Sequence, residues 1–202
     1  MIDTSNENKD RQDLTQFDEI WLFGYGSLIY KVDFPYIAKC VASIQGWQRR
    51  FWQGSHDHRG TPDNPGRVVT LINVDKQSGA LADNQACVGM AYQVTAEVFE
   101  HLDHREKNGY LRHQISIDLE NGIQKQGLIY IADEANSAFL GDASAYTIAH
   151  QIFNSRGPSG ENKDYLLELA SSLRSLKAED DHVFEIERHI HGLIKTASEV
   201  PV

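Results

Sequence analysis

Glu106 stands between Arg105 and Lys107 in the stretch HLDHREKNGY, His101 to Tyr110. The two cations favour its charged form and burial in a pocket favours the neutral one; a carboxylate held between such influences can serve as a general base. The same triplet on a solvated surface is an ordinary ion-pair cluster, and the residues alone do not separate the two readings. A second set of groups lies in WLFGYGSLIYK, Trp21 to Lys31, where a run of large apolar residues stops at Gly24, Gly26 and Ser27. A dinucleotide fingerprint fails there because Ile29 holds the third glycine position. A nucleophile elbow around Ser27 fails because Tyr25 and Ile29 hold its flanking glycine positions. No Lys-Ser/Thr pair follows, as a phosphate loop needs. What remains is a glycine-flanked turn whose backbone N–H groups can converge on an oxygen anion, or a plain turn at a strand end.

Two further stretches carry unusual chemistry. Gly46 to Leu71, GWQRRFWQGSHDHRGTPDNPGRVVTL, sets Arg49, Arg50, Arg59 and Arg67 against Asp57 and Asp63, a cationic island in an acidic chain. Arginines interleaved with Trp47, Phe51 and Trp52 could stack bases, but no wider basic surface supports that. His56 and His58 could share the face of a strand as metal ligands, yet no third ligand stands at a recognisable spacing. A polar network that pins a loop fits this stretch better. In RGPSGENKDYL, Arg156 to Leu166, the Gly-Pro-Ser-Gly turn reads as the end of one helix and the approach to the next.

The elements that must position these groups follow from periodicity. Strands are predicted at Ile20–Tyr25, Val41–Gly54, Arg67–Asn73 and Ala86–Val94. Ile115, Ile117 and Leu119 alternate with polar residues as in a half-buried strand, and Gln126–Ala132 is its returning partner. Between them Asn121-Gly122 predicts a type I′ hairpin turn with two positive φ angles. A helix is predicted at Thr95–Leu102 with Thr95 as N-cap, and others at Asp142–Ser155, Asn162–Lys177 and Asp181–Ala197. Tyr165, Leu166, Leu169, Leu173 and Leu176 fall on one helical face, as do Val183, Ile186, Ile190 and Leu193, both read as packing faces. Strands first and helices later indicate an α+β fold rather than alternating βαβ units.

Composition narrows the classes. A chain of 202 residues suits one well-packed domain. Residues 1–18 lack an apolar period and are predicted to be a disordered tail ahead of a single domain over 19–197. A net charge of −10 argues against nucleic acid or anionic membrane surfaces as partners, but not against a small anionic substrate. Cys40 and Cys87 form no CxxC motif and suit a reducing compartment. The polar start of the chain is unlike a signal peptide, and no apolar run approaches the roughly 18 residues of a spanning helix. A cytoplasmic location is expected, and the oligomeric state is not legible.

FGYGSLIYKVDFPY, RRFWQGSHDHRGTPDNPGRVVTL, REKNGY and IFNSRGPSGENKDYLLELASSLR occur in the order found in the ChaC family of γ-glutamylcyclotransferases. The resemblance runs from about Trp21 to Leu193 and rests on four motifs in register. It departs from the family pattern at Tyr30, His56 and His104. It implies the γ-glutamylcyclotransferase-like fold, a small mixed β-barrel flanked by helices. It also implies glutathione as substrate, cleaved to 5-oxoproline and Cys-Gly when the γ-glutamyl α-amine attacks its own side-chain amide. On this resemblance Glu106 is the catalytic acid/base, and Gly24, Tyr25, Gly26, Ser27, Leu28 and Ile29 are the substrate-binding segment. Tyr130 and Arg67 are further candidate contacts, with Arg67 better read as a brace for its loop. The reaction implied calls for no metal or organic cofactor. Two alternatives stay open: a cyclotransferase for other γ-glutamyl peptides or amines, and a non-catalytic γ-glutamyl-binding regulator.

Overall fold

Five short strands, some continuously apolar and some alternating with polar residues, close into a barrel, and the candidate site lies on the helix and loop docked against it. The computed structural model describes residues 3–74 and 86–199. In chain order these contain α1 (Ser5–Arg11), β1 (Ile20–Gly24), β2 (Ala38–Ile44), β3 (Trp47–Ser55), β4 (Gly66–Asn73), β5 (Cys87–Val94), α2 (Val98–Arg105), β6 (Leu111–Leu119) and β7 (Gln124–Ile131). There follow α3 (Ala145–Asn154), the two-residue strands β8 (Arg156–Gly157) and β9 (Gly160–Glu161), α4 (Asn162–Ser175) and α5 (Asp181–Ser198). They group into two compact units, one from residues 1–48 and 71–137, the other from 49–70 and 138–202.

The first unit holds the closed barrel, with strand order β1-β5-β2-β6-β7. β1 pairs antiparallel with β5 and parallel with β7, where Leu22 faces Leu128. All five of its residues are buried, so both faces of the strand are covered, which is why IWLFG reads as a continuous apolar run and not an alternating one. β6 alternates as expected at Ile117 and Leu119, but Arg112 is buried on the face where Gln114 and Ser116 are exposed. α1 and α2 account for this. Asn8 accepts from the Arg112 N–H at 2.8 Å, and the Arg112 guanidinium lies 5.3 Å from the Phe99 ring centroid.

α2 is docked by Val98, Phe99 and Leu102, which share one core with Ile20, Leu22, Leu128 and Tyr130 of the barrel strands and Leu28 of the loop after β1. Full burial of each large apolar side chain contributes about 1.5–3 kcal/mol. Gly24 ends β1 under tight constraint: a Cβ there would stand 2.6 Å from the Leu28 Cβ. The chain then turns through a 3-10 segment, Ser27–Ile29.

Several expectations are refined. The run Val41–Gly54 divides at Gln45-Gly46 into β2 and β3. The helix expected from Thr95 starts at Val98 and continues to Arg105. At Asn121-Gly122 only the glycine has positive φ, 81°. The Gly122 N–H donates to the Leu119 carbonyl at 2.9 Å, the pattern of a turn ending in a left-handed glycine rather than a type I′ pair. The segment predicted to be a disordered tail contains α1 and a second 3-10 turn, Leu14–Gln16, with Thr4 and Asn8 buried. Polar side chains that bond to backbone leave no apolar period for sequence to reveal.

The second unit is packed by the predicted stripes, with Tyr165, Leu166, Leu169 and Leu173 of α4 and Val183, Ile186 and Ile190 of α5 all buried. Ser144 and Asp180 cap α3 and α5 by accepting from the Thr147 and Val183 N–H groups. His182 Nε2 accepts the Phe51 N–H at 2.9 Å. Burial, with the Arg50 and Arg67 cations nearby, pushes this imidazole down to about 3.

Between pH ~6.5, the ordinary imidazole value, and about 3, the folded state binds fewer protons at His182 than the unfolded chain does. Its contribution to stability is therefore whole above pH ~6.5 and is lost as pH falls towards about 3, with a slope of up to about 1.4 kcal/mol per pH unit. His182→Gln, which keeps an acceptor but cannot titrate, should flatten that acid limb in denaturant titrations. Gly24→Ala should destabilise by about 1–3 kcal/mol through overpacking against Leu28; an unchanged Tm would show that the loop yields freely.

Candidate active site

The site begins where α2 ends. Glu106 is the C-cap of that helix: its N–H donates to the Leu102 carbonyl at 2.8 Å, and its own carbonyl accepts from the Tyr110 N–H at 3.2 Å. The buried face of α2 thus fixes where the carboxylate emerges. Its preceding residue, Arg105, reaches three groups. Nη2 donates to Ser27 Oγ at 2.8 Å, Nη1 to Asp33 Oδ1 at 2.6 Å, and Nε lies 3.4 Å from Glu106 Oε1. Both side chains are largely enclosed, at 16% and 20% exposure, so this contact is less screened than a surface pair.

The loop after β1 is tied down by phenols. Tyr25 donates to the Tyr130 carbonyl at 2.8 Å, and Tyr92 donates to the Leu28 carbonyl at 2.6 Å. Burial, with Tyr36 nearby, pushes the Tyr92 hydroxyl up to about 12, so it stays a donor at neutral pH. Inside the turn the Ile29 and Tyr30 N–H groups bond to Gly26 and Ser27, and Lys31 bonds to Ser27 as well. The N–H groups of Ser27 and Leu28 precede the first of these bonds, the position from which a helical start offers donors to an outside acceptor.

Tyr130 sits beneath this loop on β7 and is buried. Its hydroxyl donates to Asp103 Oδ1 at 2.6 Å. Burial, the Asp103 acceptor and the charge of Glu106 all push Tyr130 above the ordinary phenol range, against the pull of Arg112. It therefore remains protonated. Burial likewise raises Asp103, opposed by the Tyr130 donor and by Arg112, whose Nε is 3.6 Å away.

The structure thus links Ser27 to Glu106 through Arg105, and Tyr25 to Asp103 through Tyr130. Arg67 belongs to the second unit, where its guanidinium donates to Gln151 Oε1 at 2.6 Å and to the Phe51 and Gly141 carbonyls at 2.9 and 3.1 Å. Sequence reasoning treated Arg105 only as a charge beside Glu106 and missed Asp103 and Asp33. Asp103 lies three residues before Glu106, one helical turn away, and that spacing was the available signal.

A family model described as ChaC-like protein matches residues 20–193. The glutathione-specific gamma-glutamylcyclotransferase 1 of Danio rerio is 40% identical over 187 residues, covering 87% of this chain and 91% of that protein. Gamma-glutamylcyclotransferase 2-3 of Arabidopsis thaliana is 35% identical over 195 residues, covering 91% of this chain and 94% of the relative. A crystal structure of a glutathione-specific γ-glutamyl cyclotransferase from yeast superposes with a TM-score of 0.79 at 31% identity, over 86% of this chain and 96% of the yeast one. The α+β barrel fold is shared with that structure. With a model match over nearly the whole chain and relatives at this level of identity, the protein belongs to the ChaC-like family.

Proposed function

We propose that this protein is a glutathione-degrading γ-glutamylcyclotransferase in which Glu106 moves the protons. The observation that carries the reading is the Arg105 bridge, which joins the glycine-flanked loop at Ser27 to the Glu106 carboxylate. The names of the relatives supply the substrate: those from zebrafish and yeast are called glutathione-specific. The match also runs through both compact units, which supports treating 19–197 as one domain.

In this reading the Gly24–Ile29 loop holds the γ-glutamyl end, its backbone donors and the Arg105 cation meeting carboxylate and developing oxyanion. Binding folds the arm so that the α-amine faces the side-chain carbonyl, which removes most of the entropic cost of ring closure. Glu106 takes a proton from the α-ammonium, and the freed amine attacks the carbonyl carbon to form the new C–N bond. Protonated Glu106 then gives its proton to the cysteinyl nitrogen as the old amide bond breaks. The ring nitrogen sheds a second proton by the same route. Two protons lost by one nitrogen equal two gained by the other, so one carboxylate used twice balances the reaction. Nothing is oxidised or reduced. Tyr130 holds Asp103 beneath the loop, and Arg67 braces its own unit. A reducing cytoplasm suits both the thiol substrate and the two free cysteines.

A broader γ-glutamyl specificity is the second reading, since the Arabidopsis relative's name does not specify glutathione. Release of 5-oxoproline from glutathione, γ-glutamyl-alanine and γ-glutamyl-amines separates the two; turnover confined to non-thiol substrates would sink the first. Glu106→Gln should lower kcat by roughly 10²–10⁴-fold with Tm retained, and undiminished turnover would refute the mechanism. Ser27→Ala should raise KM by roughly two- to tenfold, the worth of one hydrogen bond, and mass spectrometry should trap no acyl-serine in the wild type.

A further inference from the structure

The ChaC-like match begins at residue 20, yet the segment before it is fastened to the stretch of chain that carries Glu106. Between the end of α2 and the start of β6 the backbone makes a turn, Glu106 to Tyr110, with Gly109 at φ 88°. Much of the polar backbone of this turn is met from the N-terminal segment. The Thr4 N–H donates to the Lys107 carbonyl at 2.9 Å. The Thr4 hydroxyl donates to that same carbonyl at 3.0 Å and accepts from the Gly109 N–H at 3.3 Å. One turn later, Asn8 donates to the Tyr110 carbonyl at 2.9 Å and accepts from the Arg112 N–H at 2.8 Å. Ser5 Oγ donates to the Asp103 carbonyl at 3.2 Å, and Arg11 and Gln12 both donate to the Arg112 carbonyl.

We propose that residues 4–12 are a strap that positions Glu106, with Thr4 and Asn8 as its anchors; as a statement about catalysis this rests on the cyclotransferase reading. α1 has seven residues, well below the roughly 12–15 at which an isolated helix becomes marginal in water. It forms because it docks, and its fully buried Asn8 amide is satisfied by the two backbone groups at the start of β6. The strap grips backbone groups on the C-terminal side of Glu106, while the Leu102 carbonyl holds its N–H from the other side. Without the strap, the Lys107 and Tyr110 carbonyls turn to water, and the turn shifts about the hold that remains, the Asn136 amide donating to the Asn108 and Gly109 carbonyls at 3.3 and 3.0 Å. The carboxylate then loses its register against the bound γ-glutamyl arm. A misplacement of about 1 Å can cost on the order of 100-fold in rate. Thr4 and Asn8 are positioning residues, since they act through the turn and not on the substrate.

The test compares Thr4→Val, Asn8→Leu and Thr4→Ser with wild type, using 5-oxoproline release from glutathione and backbone hydrogen exchange. Thr4→Val and Asn8→Leu should lower kcat roughly tenfold or more and leave KM within about twofold. Exchange over residues 106–112 should rise in both, and Thr4→Ser, which keeps the hydroxyl, should restore wild-type kcat. A purely structural role would lower Tm but leave kcat within twofold in the folded variants, and that result overturns the proposal. A wild type inactive on every γ-glutamyl compound would refute the cyclotransferase reading instead. The strap is then judged by exchange alone, and unchanged exchange over 106–112 in both variants overturns it.

Discussion

The 2.6 Å hydrogen bond from the Tyr130 hydroxyl to Asp103 is the contact on which the arrangement of the barrel unit turns. It joins the last turn of α2 to the last barrel strand, and both partners are buried. A carboxylate in such a place is costly unless its charge and lone pairs are met. Tyr130 donates to Asp103 Oδ1 and the Arg112 cation lies 3.6 Å from the same oxygen, the two coming from different strands, and Arg112 is held in turn by Asn8 and the face of Phe99. The result is a polar cluster whose members specify one another's position. One end of it fixes where Glu106 leaves the helix, and the other lies under the loop through the Tyr25 bond to the Tyr130 carbonyl.

Much of this was legible in the sequence where a period or a punctuation mark exists. β1, β5, β6 and β7, the α4 and α5 stripes and the glycine-flanked loop all stand within a few residues of where pattern places them. The candidate carboxylate and the loop were found by composition and resemblance together, since neither local composition nor spacing could promote Glu106 above a surface pair. What was not legible has a common cause. α1 has no apolar face, the burial of Arg112 runs against the alternation of its strand, and Arg105 reaches groups more than seventy positions away in the chain. Long-range polar contacts leave no local period.

The second unit applies the same economy with different groups. Asn162 accepts from the Arg67 N–H at 2.6 Å and donates to the Arg67 carbonyl at 2.8 Å, so one side-chain amide stands in for a neighbouring strand. Three further acceptors hold the Arg67 guanidinium. The motif RGPSGEN, read from sequence as a turn between helices, thereby becomes an anchoring point for β4, because it delivers Asn162 to that strand. A conspicuous run of arginines need not be a binding surface when its charges are spent within the unit, Arg67 on carbonyls and the Gln151 amide, Arg59 on the Glu161 carbonyl and Arg49 on the Asp180 carboxylate.

The parallel pairing of β1 with β7 also bears on how the protein acquires its shape. The barrel closes only when Leu22 meets Leu128, two strands at nearly opposite ends of the unit in chain order. Contacts so distant in sequence form late and slow the search for the native state. During synthesis β1, an unbroken apolar run, must wait for β7 to emerge before both its edges are covered. In that interval it is an open strand edge of the kind that pairs with other chains. The pairing that closes the finished barrel is thus the last to become available to the nascent chain, once Ile131 has emerged.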